Sequence, residues 1–123
     1  MILVDTPVWI DHLHEPNEHL AFELETKRVF CHPLVVGEIA MGSLKNRAEL
    51  LSRLDRLKTI PSATLAETRT LIEKQNLFAT GIGLVDAMLL ASCLLDPRIK
   101  LWTRDRRLHA QASRFGIAYQ PLH

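Results

Sequence analysis

The chain has 123 residues, 47% of them hydrophobic, and a net charge of only +1 at neutral pH, with 15 Lys and Arg set against 14 Asp and Glu. That length suits one domain, residues 1–123, with enough core to fold without disulfide staples. So even a balance excludes binding to nucleic acid by bulk charge alone, and the two cysteines, Cys31 and Cys93, are expected as small buried hydrophobes in a reducing compartment rather than as zinc ligands.

Ile2-Leu3-Val4 runs into Asp5, the pattern of a short strand buried on both faces of a parallel sheet. An acid so close behind the first apolar residues, with no basic segment before them, argues against a secretory leader, and the protein is expected in the cytoplasm. A helix is expected to follow at once, capped by Thr6, with Pro7 in its first turn and Val8, Trp9 and Leu13 facing inward. Residues 17–26 predict a second helix, 28–32 a strand, and 33–41 a helix stopped by Gly42. Residues 47–58 predict a helix, with Leu50, Leu51, Leu54 and Leu57 at three- and four-residue spacing.

Thr59-Ile60 before Pro61 predicts a short edge strand, and residues 64–76 a helix opened by a T-x-x-E capping box at Thr64 and Glu67. Gly81-Ile82-Gly83 breaks the pattern ahead of an apolar helix at 84–95. The apolar stretch from Ile82 to Leu95 carries Asp86 and falls short of the roughly 20 residues that span a bilayer, so no membrane segment is expected. A strand at 99–103, a helix at 105–115 stopped by Gly116 and a last short strand at 117–119 complete the chain.

Strands alternating with helices predict an α/β protein, a three-layer α/β/α sandwich with a mostly parallel sheet of four to five strands and right-handed crossovers. In that architecture the C-terminal ends of strands and the N-terminal ends of helices share one edge, where ligands bind. Asp5 ends the first strand, Glu38 lies in the first turns after the second, Asp86 opens the apolar helix and Asp105 follows the strand at 99–103. All four acids are expected on that edge. Carboxylates gathered in this way repel one another and drift toward protonation unless a cation compensates them. Mg²⁺ or Mn²⁺ is the simplest compensation, and with it the implied reaction is hydrolysis of a phosphodiester.

With those four acids set aside, 15 basic residues face ten acidic ones. Arg98, Lys100, Arg104, Arg106 and Arg107 are expected to form a basic rim beside Asp105, with Arg104, Arg106 and Arg107 as candidates for binding a polyanionic substrate. Taken singly, Asp105 reads as a plain N-cap and Asp86 as a favourable charge at a helix N-terminus. Glu38, flanked by Val35, Val36, Ile39 and Ala40, demands a partner. Trp9 and Trp102 are expected in the core, and His12, His14, His19 and His109 on the surface. His32, at a strand end near Glu38, is the one histidine kept as a candidate substrate contact.

Four segments then occur in order: I-L-V-D-T-P-V-W-I at the start, V-V-G-E-I-A at Val35 to Ala40, G-L-V-D-A-M-L-L-A-S at Gly83 to Ser92, and L-W-T-R-D-R-R-L at Leu101 to Leu108. On these the chain resembles, over essentially its whole length, the PIN-domain ribonucleases, and in particular the VapC-type toxins of bacterial toxin-antitoxin pairs. The resemblance implies an endoribonuclease dependent on Mg²⁺ or Mn²⁺. It implies Asp5, Glu38, Asp86 and Asp105 as catalytic and metal-binding acids, Thr103 as the hydroxyl residue before the last of them, and Thr6 as the small hydroxyl residue after the first. An RNA substrate, a cognate VapB-type antitoxin and a homodimer are implied as partners.

One departure is Pro7, where such toxins carry serine in a D-T-S-V-W pattern; it removes a hydroxyl and an N–H near Asp5, a loss expected to touch supporting hydrogen bonds rather than metal binding. Two alternatives stand beside this reading. A phosphatase with Asp5 as nucleophile is opposed by Pro7, because a D-x-D pattern needs an acid there. A non-catalytic RNA- or protein-binding module would be favoured by a missing acid, and none is missing.

Overall fold

Ile2, Leu3 and Val4 are all buried, because β1 (Ile2–Val4) lies inside the sheet and has a neighbour on each side. In the computed structural model, which describes residues 1–121, β1 pairs in parallel with β2 (Val29–Cys31) on one side and with β4 (Lys100–Trp102) on the other. β3 (Lys58–Thr59) adds to β2, giving the order β3-β2-β1-β4 with every pair parallel. A strand covered on both faces reads as an unbroken apolar run, and β1 does.

Among the described residues seven helices connect and flank these strands: α1 (Thr6–His14) and α2 (Glu18–Glu25) between β1 and β2, α3 (Pro33–Ala40) and α4 (Arg47–Asp55) between β2 and β3, α5 (Leu65–Gln75) and α6 (Leu84–Leu94) between β3 and β4, and α7 (Arg106–Arg114) after β4. Right-handed crossovers put the helices of the first two connections on one face of the sheet and those of the long return to β4 on the other. The contacts agree, since α1 packs on α3, α3 on α4 and α5 on α6. The α/β/α sandwich read from the sequence is the observed fold.

The boundaries moved in informative places. Asp5, not Thr6, caps α1: its carboxylate accepts the Thr6 N–H at 2.8 Å, so strand end and helix cap are the same residue. The expected last strand at 117–119 shrinks to a single bridge between Leu101 and Ala118. α4 stops at Asp55 so that Lys58 can enter β3. Leu13 is 40% exposed and so does not complete the inward stripe of Val8 and Trp9. A 3-10 turn at Leu77–Ala79, not expected from the sequence, follows Asn76, which takes the left-handed conformation at the end of α5. The capping box at Thr64 and Glu67 forms with both of its hydrogen bonds, and Cys31 and Cys93 are buried and unbridged. Among the described residues no helix is long and apolar enough to cross a membrane.

One buried polar cluster ties the two sides of the sheet together. His32 is the N-cap of α3 and its Nδ1 accepts the Leu34 N–H at 3.0 Å, so the ring proton sits on Nε2, 3.1 Å from Ser92 Oγ. That hydroxyl also accepts the Ala63 N–H at 2.9 Å and donates to Met88 O at 2.7 Å. The Ser92 oxygen is thereby satisfied in full, and His32, held neutral by burial, is structural rather than a substrate contact. Ser92→Ala would leave the Ala63 N–H and the His32 Nε2–H unpaired in the core. The variant is expected to lose about 1–3 kcal/mol in urea denaturation, with an unchanged slope.

Candidate active site

In a sheet ordered β3-β2-β1-β4 the chain winds outward from β1 to β3 and then returns across it to β4. The direction of winding reverses between β1 and β4, and at such a switch point the crevice beyond the strand C-termini is open to ligands. Asp5 follows β1 and Thr103 follows β4 at this crevice, where the Asp5 N–H donates to Trp102 O at 2.9 Å.

Asp5 is 4% exposed and both its carboxylate oxygens are engaged. One accepts from the Thr6 N–H and the other from Thr103 Oγ1 at 2.8 Å, while the same Thr103 oxygen accepts the Asp105 N–H at 3.0 Å. A single hydroxyl thus fixes two acids that are a hundred residues apart in sequence. Asp105 caps α7, accepting the N–H groups of Arg107 and Leu108 at 2.9 Å each. On the other side, Thr6 Oγ1 donates to Glu38 Oε1 at 2.7 Å. Pro7 occupies the second position of α1, and Asp5 keeps both hydrogen bonds beside it.

Glu38 departs from expectation in one respect: it is exposed, not buried among its apolar neighbours. Val35 and Ile39 face the core, and helical spacing sends Glu38 outward on α3, where it reaches Thr6. Asp86 lies half-buried in the first turn of α6, whose N-cap, Gly83, offers no side-chain acceptor.

The electrostatics couple all four acids. Burial pushes the Asp86 carboxyl up to about 6, reinforced by the charges of Asp5, Asp105 and Glu38. Asp5 is also raised, chiefly by burial and further by Glu38 and Asp105, against the lowering effect of its Thr103 and Thr6 hydrogen bonds. Two raised carboxyls, Asp5 and Asp86, beside the charges of Glu38 and Asp105 form an oxygen-only donor set, suited to a hard divalent cation. Among the described residues no three acid, imidazole or thiol side chains gather tightly enough to make a ready coordination shell. An ion such as Mg²⁺, which takes one or two carboxylates and keeps several waters, is compatible with an all-oxygen donor set of this kind.

The basic rim divides. Arg98 and Lys100 lie at the far end of β4: Lys100 N–H donates to Met1 O, and Arg98 pairs with Asp96 at 2.9 Å. The extended strand carries these two residues away from Arg104, Arg106 and Arg107, although all five are close in sequence. Arg104 is at the site edge, with its Nε 2.9 Å from Asp11 on α1, a partner that its separation in sequence concealed. Arg106 and Arg107 are exposed on the first turn of α7. Arg107 lies across Gly81, where an added Cβ would stand 2.9 Å from its Cδ. Trp9 and Trp102 are buried, as expected. His12 is half-buried rather than free on the surface, its Nδ1 accepting the Asn17 N–H at 2.9 Å.

The family model for the PIN domain matches residues 2–113. Ribonuclease VapC32 of Mycobacterium tuberculosis, in strains CDC 1551 / Oshkosh and ATCC 25618 / H37Rv, is 43% identical over 118 residues, covering 96% of this chain and 95% of its own. Among solved structures, FitAB bound to an IR36 DNA fragment superposes with a TM-score of 0.62 at 20% identity, covering 92% of this chain and 91% of that one. FitAcB from Neisseria gonorrhoeae gives 0.61 at 20% identity, with coverage of 92% and 94%. PAE2754 from Pyrobaculum aerophilum gives 0.59 at 16%, with coverage of 89% and 84%. These last three likenesses are of fold.

The raised carboxyls fix the sign of a pH effect in the metal-free protein. A carboxyl at about 6 in the folded state, against 3.8 when unperturbed, holds its proton more tightly folded than unfolded. Its ionisation therefore costs stability, a cost fully present above about 6 and relieved as the pH falls toward 4. Asp86→Asn removes it. In thermal unfolding with EDTA the variant is expected to melt above the wild type at pH 7, and the gap is expected to close by pH 4.5. An equal gap at both pH values would show that the Asp86 carboxyl is not raised in the folded protein.

Proposed function

Because the chain belongs to the PIN-domain family, and within it to the VapC-type ribonucleases, we propose that it is a metal-dependent endoribonuclease whose centre is Asp5, Glu38, Asp86 and Asp105. The observation that carries this reading is the gathering of these carboxylates at the switch point of a parallel sheet, where Thr103 and Thr6 tie Asp5, Asp105 and Glu38 together and burial raises Asp5 and Asp86. Asp5, Glu38, Asp86 and Asp105 would hold Mg²⁺ or Mn²⁺. When bound, the ion supplies compensating charge, an activated water and a Lewis acid for the phosphoryl group.

The protein's own part is placement. Thr103 holds Asp5 and the backbone of Asp105 in one hydrogen-bonded unit, and Thr6 does the same for Glu38, so the acids are oriented before substrate arrives. Among the described residues each Asp5 oxygen accepts one protein hydrogen bond, which leaves a further lone pair on each for a ligand. Asp86, ionising near 6, gives up its proton as a cation arrives, so metal affinity rises with pH through that range. Arg106 and Arg107 stand at the N-terminus of α7, where the helix dipole opposes positive charge. Their place there gives the helix nothing and suits contact with substrate phosphates, with Arg104 beside them.

A nuclease of this kind suits the toxin of a toxin-antitoxin pair acting in the cytoplasm, restrained by a VapB-type antitoxin and working as a homodimer. Surface supports such partners: Phe22 on α2 and Met41 at the end of α3 are 57% and 89% exposed, and large apolar side chains left in water on helices are what an amphipathic partner segment covers.

Purified protein is expected to cleave RNA with Mn²⁺ and to stop on addition of EDTA. Asp5→Asn and Asp86→Asn should abolish cleavage without unfolding the chain, and Thr103→Val should lower metal affinity or rate by about 10- to 100-fold. Arg106→Ala with Arg107→Ala should flatten the salt dependence of RNA binding and spare metal affinity. Full activity in Asp5→Asn or Asp86→Asn would remove the site assignment. Expression alone is expected to arrest bacterial growth, and co-expression of the adjacent small gene to relieve it; harmless expression of active enzyme would defeat the toxin role.

A further inference from the structure

A cavity of about 550 Å³ opens on the outer side of β4, between the segment that follows it and the returning tail, lined by Trp102, Thr103, Arg104, His109, Tyr119 and Gln120 among others. It shares Thr103 with the acid centre, so the wall of the cavity is the residue that holds Asp5 and Asp105. Its volume is that of a small-ligand site. Among the described residues no acid lines it, Glu23 acting only on the Tyr119 hydroxyl, and Arg104 on its rim favours a neutral or anionic ligand over a cation.

The lining has the chemistry that reads an unstacked base. Tyr119 is fixed by its backbone, its N–H donating to Leu101 O at 2.9 Å, and its ring packs on Trp102 at 5.0 Å between centroids and 41° between planes. Trp102 is almost fully buried, while Tyr119 is half-buried, packed against the core on one side and lining the cavity on another. Arg104 is pinned at Nε by Asp11, which leaves its terminal nitrogens free among the described side chains and its planar cation pre-positioned on the rim. His109 is half-buried on α7, and the exposed Gln120 carries both a donor and an acceptor. Stacking platforms of this kind beside a cation are how unpaired nucleotides are held.

We propose that this cavity takes an unpaired nucleobase, stacked on Tyr119, from a nucleotide flanking the bond to be cut; the choice of a nucleotide rests on the ribonuclease reading above. With one end of the substrate at the acids and a neighbouring base in the cavity, Tyr119 and its neighbours fix which nucleotide can lie next to the cleaved phosphate.

The test uses the four nucleoside 5′-monophosphates and ribose 5-phosphate, titrated into the metal-free full chain and followed by NMR. At least one nucleotide is expected to bind about five- to a hundredfold tighter than ribose 5-phosphate, the range of one base–aromatic stack, and to shift the amides of Arg104, His109 and Gln120. Tyr119→Ala should erase that advantage and Tyr119→Phe should keep it. If Tyr119→Ala does not fold, the wild-type shifts decide: shifts at those three amides support the subsite and shifts confined elsewhere overturn it. Equal binding of nucleotide and ribose 5-phosphate, or an advantage that survives in Tyr119→Ala, also overturns it. On RNA, Tyr119→Ala should raise KM more than it lowers kcat. Failure of the ribonuclease reading is a separate result, the absence of RNA cleavage with Mn²⁺, and leaves the nucleotide titration decisive for the cavity.

Discussion

The side-by-side pairing of β1 and β4 is the constraint from which the site follows. These strands are consecutive in space and about a hundred residues apart in sequence, with Val4 opposite Trp102. The residues that leave them, Asp5 and Thr103, are therefore forced together, and the Thr103 hydroxyl completes the unit by binding Asp5 and the Asp105 backbone. The chain can make this pairing only by crossing back over β1 after building β2 and β3, which opens the crevice at the same place.

A cluster of acids works against the fold that holds it, and the structure shows where the opposing stability lies. β1 is fully buried beneath the site, and the cluster of His32, Ser92 and Ala63 fastens the start of α3 to α6 and to the entry of α5. Both α3 and α6 carry a site acid. A polar cluster with every bond made can orient two helices without leaving a buried group unpaired, and this one does so out of contact with solvent. Burial of Asp5 and Asp86 then raises their carboxyls, so that ionising them costs the folded state energy.

Charge outside the acids is organised by the ends of the strands and helices. Arg98 and Lys100 at the start of β4 serve the far edge, whereas Arg104, Arg106 and Arg107 beyond its end stand at the site. The strand between Lys100 and Arg104 thus divides structural cations from those that can meet a polyanion. Arg104 belongs to both groups, since its pairing with Asp11 fixes the side chain and leaves part of the guanidinium exposed.

The sequence by itself determined the order of strands and helices, the burial of β1, the capping box at Thr64 and Glu67, and the edge on which Asp5, Glu38, Asp86 and Asp105 lie. Each of these depends on local period, on turn chemistry or on the rule that one edge of a parallel sheet carries strand ends and helix starts, and such signals are written in neighbouring residues. Tertiary structure decided the rest. That Glu38 points outward to Thr6, that Asp5 rather than Thr6 caps α1, that His32 is consumed by Ser92, and that Arg104 finds Asp11 while Arg98 stays at the far edge all depend on partners brought close by packing. The last strand failed for the same reason: whether residues 117–119 form a ladder or a single bridge depends on how far the tail follows β4, and no residue in the tail encodes that distance.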